Sequence, residues 1–110
     1  MRLAALARAY PAGSAQAARD LDQDTVDRRR RVLGTDHLET LFSAGNLAAD
    51  LYMLGEVRAA CDLEQDTVER FRLVLGADHR DTLLSADSLA SYLRTLGEMQ
   101  ATRNREQDTL

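Results

Sequence analysis

The tetrapeptide Gln-Asp-Thr-Val at residues 23–26 returns at 65–68, and Gln-Asp-Thr-Leu stands at 107–110, so the spacing is 42 residues each time. Laid over each other without a gap, 23–64 and 65–106 agree at 23 of 42 positions. Unrelated segments of ordinary composition would agree at about one position in fifteen. The chain is an internal repeat, and this constrains its fold more than any other feature. A unit of this size cannot hide its apolar face alone, so successive units must stack.

Within one unit the apolar period is helical. Leu38, Leu41, Ala44, Leu47, Ala48, Leu51 and Leu54 recur at steps of three and four, which makes one stripe along a helix. Gly55 is placed to end that helix in a left-handed conformation. A second stripe runs through Val57, Ala60, Leu63, Thr67, Val68, Phe71, Val74 and Leu75, closed by Gly76. The next copy repeats the first stripe as Leu83, Ala86, Leu89, Ala90, Leu93 and Leu96, with Gly97 expected to close it. Asp36 and Asp78 are the expected N-caps of the two first helices. An earlier second helix is expected from about Ser14 to Leu33, and 1–12 reads as a degenerate first helix ended by Pro11. The register of that segment stays open: an offset of 42 pairs Tyr10 with Tyr52, whereas 44 pairs Leu-Ala-Ala at 3–5 with 47–49.

Short glycine-centred connections force neighbouring helices to lie roughly antiparallel. The expected fold is therefore all-α: an α-solenoid of antiparallel helix–turn–helix units, about two and a half of them. The units are expected at 1–34 (degenerate or partial), 35–76 and 77–110 (truncated), within one domain spanning 1–110. By the repeat register the helix starting near Glu98 is cut before the places equivalent to Phe71, Val74 and Leu75. That leaves Leu89, Leu93 and Leu96 short of cover, and the expectation is a piece of a longer array or self-association through the truncated C-terminal helix.

Composition agrees with a helical stack. Only 5% of residues are aromatic and one is Pro, while helix-forming Ala, Leu, Arg and Glu dominate. A net charge of −4 provides no general attraction to nucleic acid or an anionic membrane, and no uncharged stretch approaches the length of a spanning helix. The N-terminal segment MRLAALARAYPAGSA faintly resembles a signal peptide, but Arg8 breaks its apolar run, and the segment reads as part of the repeat. The single cysteine, Cys61, excludes an intrachain disulfide and points to a reducing, cytoplasmic setting.

The segment NLAADLYMLGEVRAA (46–60) resembles the helix–turn–helix signature of tetratricopeptide repeats. The 42-residue period and the VLGxDHxxTL junction are similar to the kinesin-light-chain type, whose repeats occur in many bacterial proteins. The resemblance covers about 14–110. It implies a protein-interaction module that binds a partner peptide or protein segment in the concave groove of the solenoid, as part of a longer bacterial repeat protein. Two departures stand out. The family often has Pro after the junction His, where this chain has Leu38 and Arg80. It also tends to carry Asn on the groove face, which Asn46 matches while Ser88 and Ala4 do not.

On this reading the groove face carries Phe42, Asn46, Ala49, Tyr52 and Met53 from the middle unit and Asp87, Ser88, Ser91 and Arg94 from the next. Exposed aromatic and Met side chains are typical of interaction surfaces. The alternative is that Phe42, Tyr52 and Met53 pack against the neighbouring first helix, and that the array is a structural spacer without a dedicated ligand. Gly45, inside a helix, marks a place where a second helix or a partner's backbone comes close.

Nothing in the chain suggests catalysis, a cofactor or a metal. His37 and His79 occupy equivalent junctions one unit apart and read as turn residues that help start a helix. The run Asp27-Arg28-Arg29-Arg30-Arg31 winds around its helix rather than forming one face, and Asp24–Arg28, Asp27–Arg31 and Asp66–Arg70 are spaced as i,i+4 ion pairs. Cys61 reads as a small buried thiol. An enzyme would need convergent polar groups that the sequence lacks.

Overall fold

A computed structural model describes residues 14–108. Four helices succeed one another: α1 (Ser14–Leu33), α2 (Leu38–Met53), α3 (Val57–Leu75) and α4 (Arg80–Asp108). Each packs chiefly on the next, α1 on α2, α2 on α3 and α3 on α4, which is the contact pattern of an α-solenoid. The architecture is the all-α repeat stack that the 42-residue period predicts. The degenerate segment 1–12, with Tyr10, Pro11 and its two possible registers, lies outside the described residues, as does Gly13.

The turns depend on glycine. Gly34, Gly55 and Gly76 have φ of 97°, 85° and 95°, in the left-handed region where a side chain would be strained. After α2 the Glu56 N–H donates to the Leu51 carbonyl at 2.9 Å and the Gly55 N–H to the Tyr52 carbonyl at 3.0 Å, so two carbonyls that the helix leaves open are satisfied.

The helix starts differ from expectation. The Leu41 N–H donates to the His37 carbonyl at 3.0 Å, which makes His37 and not Asp36 the N-cap. Its Nδ1 accepts the Glu39 N–H at 3.1 Å. His79 repeats the device, accepting the Asp81 N–H at 3.0 Å. Asp36 lies one residue outside the helix and instead pairs with Arg70 Nη1 at 2.7 Å, while Arg70 Nε holds Asp66 at 2.8 Å. His37→Ala is therefore expected to cost about 1 kcal/mol in a denaturant melt. Asp36→Ala removes only a surface ion-pair partner and is expected to cost about 0.5 kcal/mol. The reverse ranking would return the cap to Asp36.

The core joins α1 to α4 through Val26, Leu47, Ala48, Leu51, Val57, Ala60, Cys61 and Tyr92. The α2 stripe is buried from Leu41 to Leu51, and the Cys61 thiol is buried too, with burial pushing its pKa up. Val74, expected in the α3 stripe, is exposed. In the arginine run, Arg28 pairs with Asp24 at 3.3 Å as the spacing predicts. Asp27 instead accepts from Gln23 Nε2 at 3.1 Å. Arg29 reaches across to α2, donating to the Glu39 carbonyl and to Ser43 Oγ.

The largest departure is at Gly97, which does not close a helix. It lies inside α4, which runs unbroken for 29 residues. Leu-Gly-Glu is thus a turn at 54–56 and helical at 96–98. The two copies differ in the residues after the tripeptide. After Glu56, the buried residues Val57, Ala60 and Cys61 give a returning helix an apolar face to pack. The places equivalent to these three after Glu98 hold Met99, Thr102 and Arg103, all exposed. With no such face there is nothing to offset breaking the helix, and α4 continues, although a mid-helix Gly costs about 1 kcal/mol relative to Ala.

Candidate partner-binding groove

α2 and α4 stand side by side with α3 beneath them, and an open groove of about 330 Å³ runs between the two. Of the residues expected to form a binding face, Phe42, Asn46 and Ala49 on α2 and Ser88 on α4 line it. Phe42 is 45% exposed, its ring tilted against Phe71 at 5.7 Å. The remaining candidates lie elsewhere. Met53 is 76% exposed near the end of α2, Asp87 and Arg94 are exposed, and Ser91 is half-buried, its carbonyl accepting Thr95 Oγ1 at 3.3 Å. Tyr52 stacks on Tyr92 at 4.7 Å, and its hydroxyl shares a 2.8 Å hydrogen bond with Thr95 Oγ1. Tyr52 is thereby a cross-link between α2 and α4.

Gly45 lines the groove too, and a Cβ built there would meet no atom within 4 Å. No helix of the described chain approaches it closely, so the close-packing explanation of this glycine fails. What its missing side chain does is leave the groove wall low.

The groove is acidic. Glu64 on α3 and Asp81 on α4 line it, and no lining residue is Lys or Arg. Glu64 is only 2% exposed and accepts a hydrogen bond from Ser85 Oγ. Burial pushes its carboxyl up from the usual range, with the Ser85 bond opposing. Burial also raises the Tyr92 phenol, with the negative charge of Glu64 as the next cause. Neither carboxylate stands out in the sequence as a groove residue. The available signal is periodicity: Glu64 falls between Ala60 and Thr67 on the stripe of α3, and the 42-residue register places Asp22, Glu64 and Glu106 in one column.

The same column makes a second acidic junction one unit earlier. There Asp22 of α1 neighbours Asp50 of α2, and burial together with that neighbour pushes the Asp50 carboxyl up to about 7. Among the described residues no group of three His, Cys, Asp or Glu side chains is arranged to hold a metal ion. No helix among them is long and apolar enough to cross a membrane.

The family profile of the tetratricopeptide repeat matches residues 1–72. Neither curated proteins nor solved structures give a significant match to the chain. The profile covers well over half of the sequence and agrees with the neighbour-on-neighbour helix stack, so the chain belongs to the tetratricopeptide repeat family, whose repeats are protein-interaction modules without catalytic machinery of their own.

Proposed function

We propose that the groove between α2 and α4 binds a segment of another protein, and that the segment offers an apolar side chain together with a Lys or Arg. The observation that carries this is the composition of the groove: a half-exposed Phe42 beside the open wall at Gly45, over two carboxylates with no basic residue among them. A cation entering the groove meets Glu64 where little water screens it, so their attraction is stronger than at an open surface, offset in part by the cost of desolvating the cation. The resemblance of the VLGxDHxxTL junctions to the kinesin-light-chain type supports a groove binder within a longer bacterial, cytoplasmic array. Its repeat units are 1–34, 35–76 and 77–110. The spacer reading draws its support from Tyr52, which serves packing.

Selection of a displayed random-peptide library on the folded chain tests the proposal. Recovered peptides should combine an apolar residue with Lys or Arg. Glu64→Gln, which keeps the shape and the Ser85 partner, should weaken them by roughly tenfold. Gly45→Gln should block them while leaving the helix more stable, since Gln is the better helix former by about 0.5 kcal/mol. Recovery of no peptide, or of peptides indifferent to both substitutions, would leave the spacer reading in possession.

A further inference from the structure

The first-helix stripe occurs twice with nearly the same residues and two different fates. In α2, Leu41, Ala44, Leu47, Ala48 and Leu51 are all buried. Their equivalents in α4 are Leu83, Ala86, Leu89, Ala90 and Leu93. Leu89 and Ala86 are half-buried, whereas Leu83 is 51% exposed, Leu93 47% exposed, and Ala90 exposed as well. α2 is covered by α1 on one flank and α3 on the other, while among the described residues α4 packs on α3 and meets α2 only on its groove side, through Tyr92 and Thr95, away from this stripe. Every residue from 97 to 108 is exposed, so the fused end of α4 provides no return cover.

We propose that a second copy of this chain covers the open stripe, the two α4 helices crossing antiparallel at Ala90. Three features of α4 select the copy over another occupant. The first is shape. At about 100° per residue, Leu83, Ala86, Ala90, Leu93 and Gly97 fall on one face of α4. An antiparallel crossing at Ala90 sets Leu83 opposite the partner's Gly97 and Leu93 opposite the partner's Ala86. Each large residue thus meets a small one, and the pattern is self-complementary, as a two-fold interface requires.

The second is charge. Asp87 and Arg94 flank this face on the same side, two turns apart, and both are exposed. The same crossing brings Asp87 of one copy to the partner's Arg94, and the reverse. The third is that these charges belong to the open helix alone: the equivalent places on the covered helix α2 hold Gly45 and Tyr52. The groove residues Asp81, Leu84, Ser85 and Ser88 lie on the other side of α4, so pairing leaves both grooves open. A dimer so built presents two of them and gains from any partner with two docking segments.

Sedimentation velocity of the intact chain up to on the order of 100 µM tests this, a range that reads weak as well as tight association. The expected species is a dimer that dissociates on dilution. Asp87→Arg and Arg94→Asp should each shift it toward monomer by roughly tenfold, and the two together should restore it. All these sites are exposed, and a circular-dichroism melt of each variant separates loss of pairing from loss of fold. Ala90→Cys should form an interchain disulfide under mild oxidation, while the parent chain, with its one thiol buried, should not. A monomer throughout the range overturns the proposal. So does failure of the charge swap to restore pairing, or growth beyond dimer, which would mean head-to-tail stacking of α4 on another copy's α1.

Discussion

Leu47→Ala is expected to cost about 2–5 kcal/mol, the range for emptying a fully buried leucine site. Leu47 is 3% exposed and lies in the cluster that ties α1, α2, α3 and α4 together. Four helices of this size have a total stability on the order of 5–10 kcal/mol, so a large share of the molecules should lose their cooperative transition at moderate temperature. Leu89 is the same residue one unit later, on a stripe where Ala86, Ala90 and Leu93 repeat Ala44, Ala48 and Leu51. It packs at the edge of the cluster and is only half-buried, so Leu89→Ala is expected to cost about 1 kcal/mol. Urea unfolding of both variants at low protein concentration reads the difference. Equal losses would mean that the α4 stripe is already covered in the monomer as fully as that of α2.

That contrast marks what the sequence makes legible. The 42-residue period, the two stripes and the left-handed glycines are local or periodic signals, and they place α1, α2, α3 and three turns to within a residue or so. Leu-Gly-Glu at 96–98 is as good a local turn signal as its copy at 54–56, yet it stays helical. A hairpin forms only if the returning segment has something to bury, and that condition lies in Met99, Thr102 and Arg103 rather than in the tripeptide. The N-cap is displaced for a similar reason. Asp is the commoner capping residue, but the chain direction at the junction brings the His37 and His79 rings over the first N–H groups and leaves Asp36 to Arg70.

The groove is legible in outline and not in chemistry. Phe42, Asn46, Ala49 and Ser88 can be placed on one face by helical spacing, and they line the cleft together. Tyr52 shares their helix, but its ring is drawn to Tyr92, which fills the place equivalent to Asp50. That pairing couples non-equivalent positions of successive units, so comparison of one copy with the next does not reveal it. Glu64 is hidden because an apolar stripe is traced by its apolar members: a carboxylate on a buried stripe is where the unusual electrostatics of the stack collect.

The Asp22–Asp50 pair gives those electrostatics a measurable consequence. Asp50 is half-buried, its Oδ2 has no hydrogen-bond partner in the folded chain, and its carboxyl is raised from 3.8 to about 7, first by burial and then by Asp22. Below pH 3.8 the group is protonated whether folded or not, and it has no effect on stability. Between 3.8 and about 7 the unfolded chain has released a proton that the folded chain retains, so stability from this group falls as pH rises. Above about 7 the loss is complete and constant. Three pH units would amount to about 4 kcal/mol in a dry interior, and solvent at this half-open site reduces it to about 2 kcal/mol. Asp50→Asn cannot ionise and its amide can donate to Asp22, so the variant should match the parent near pH 4 and exceed its stability by about 2 kcal/mol near pH 8. Asp22→Asn removes only the lesser of the two causes and leaves the burial of Asp50, so it should recover less than Asp50→Asn, and adding it to Asp50→Asn should change little. The difference in unfolding free energy between variant and parent, measured across pH, cancels the rest of the titration curve. A difference that is flat, or that shrinks as pH rises, would show that Asp50 is ionised and solvated in the folded chain.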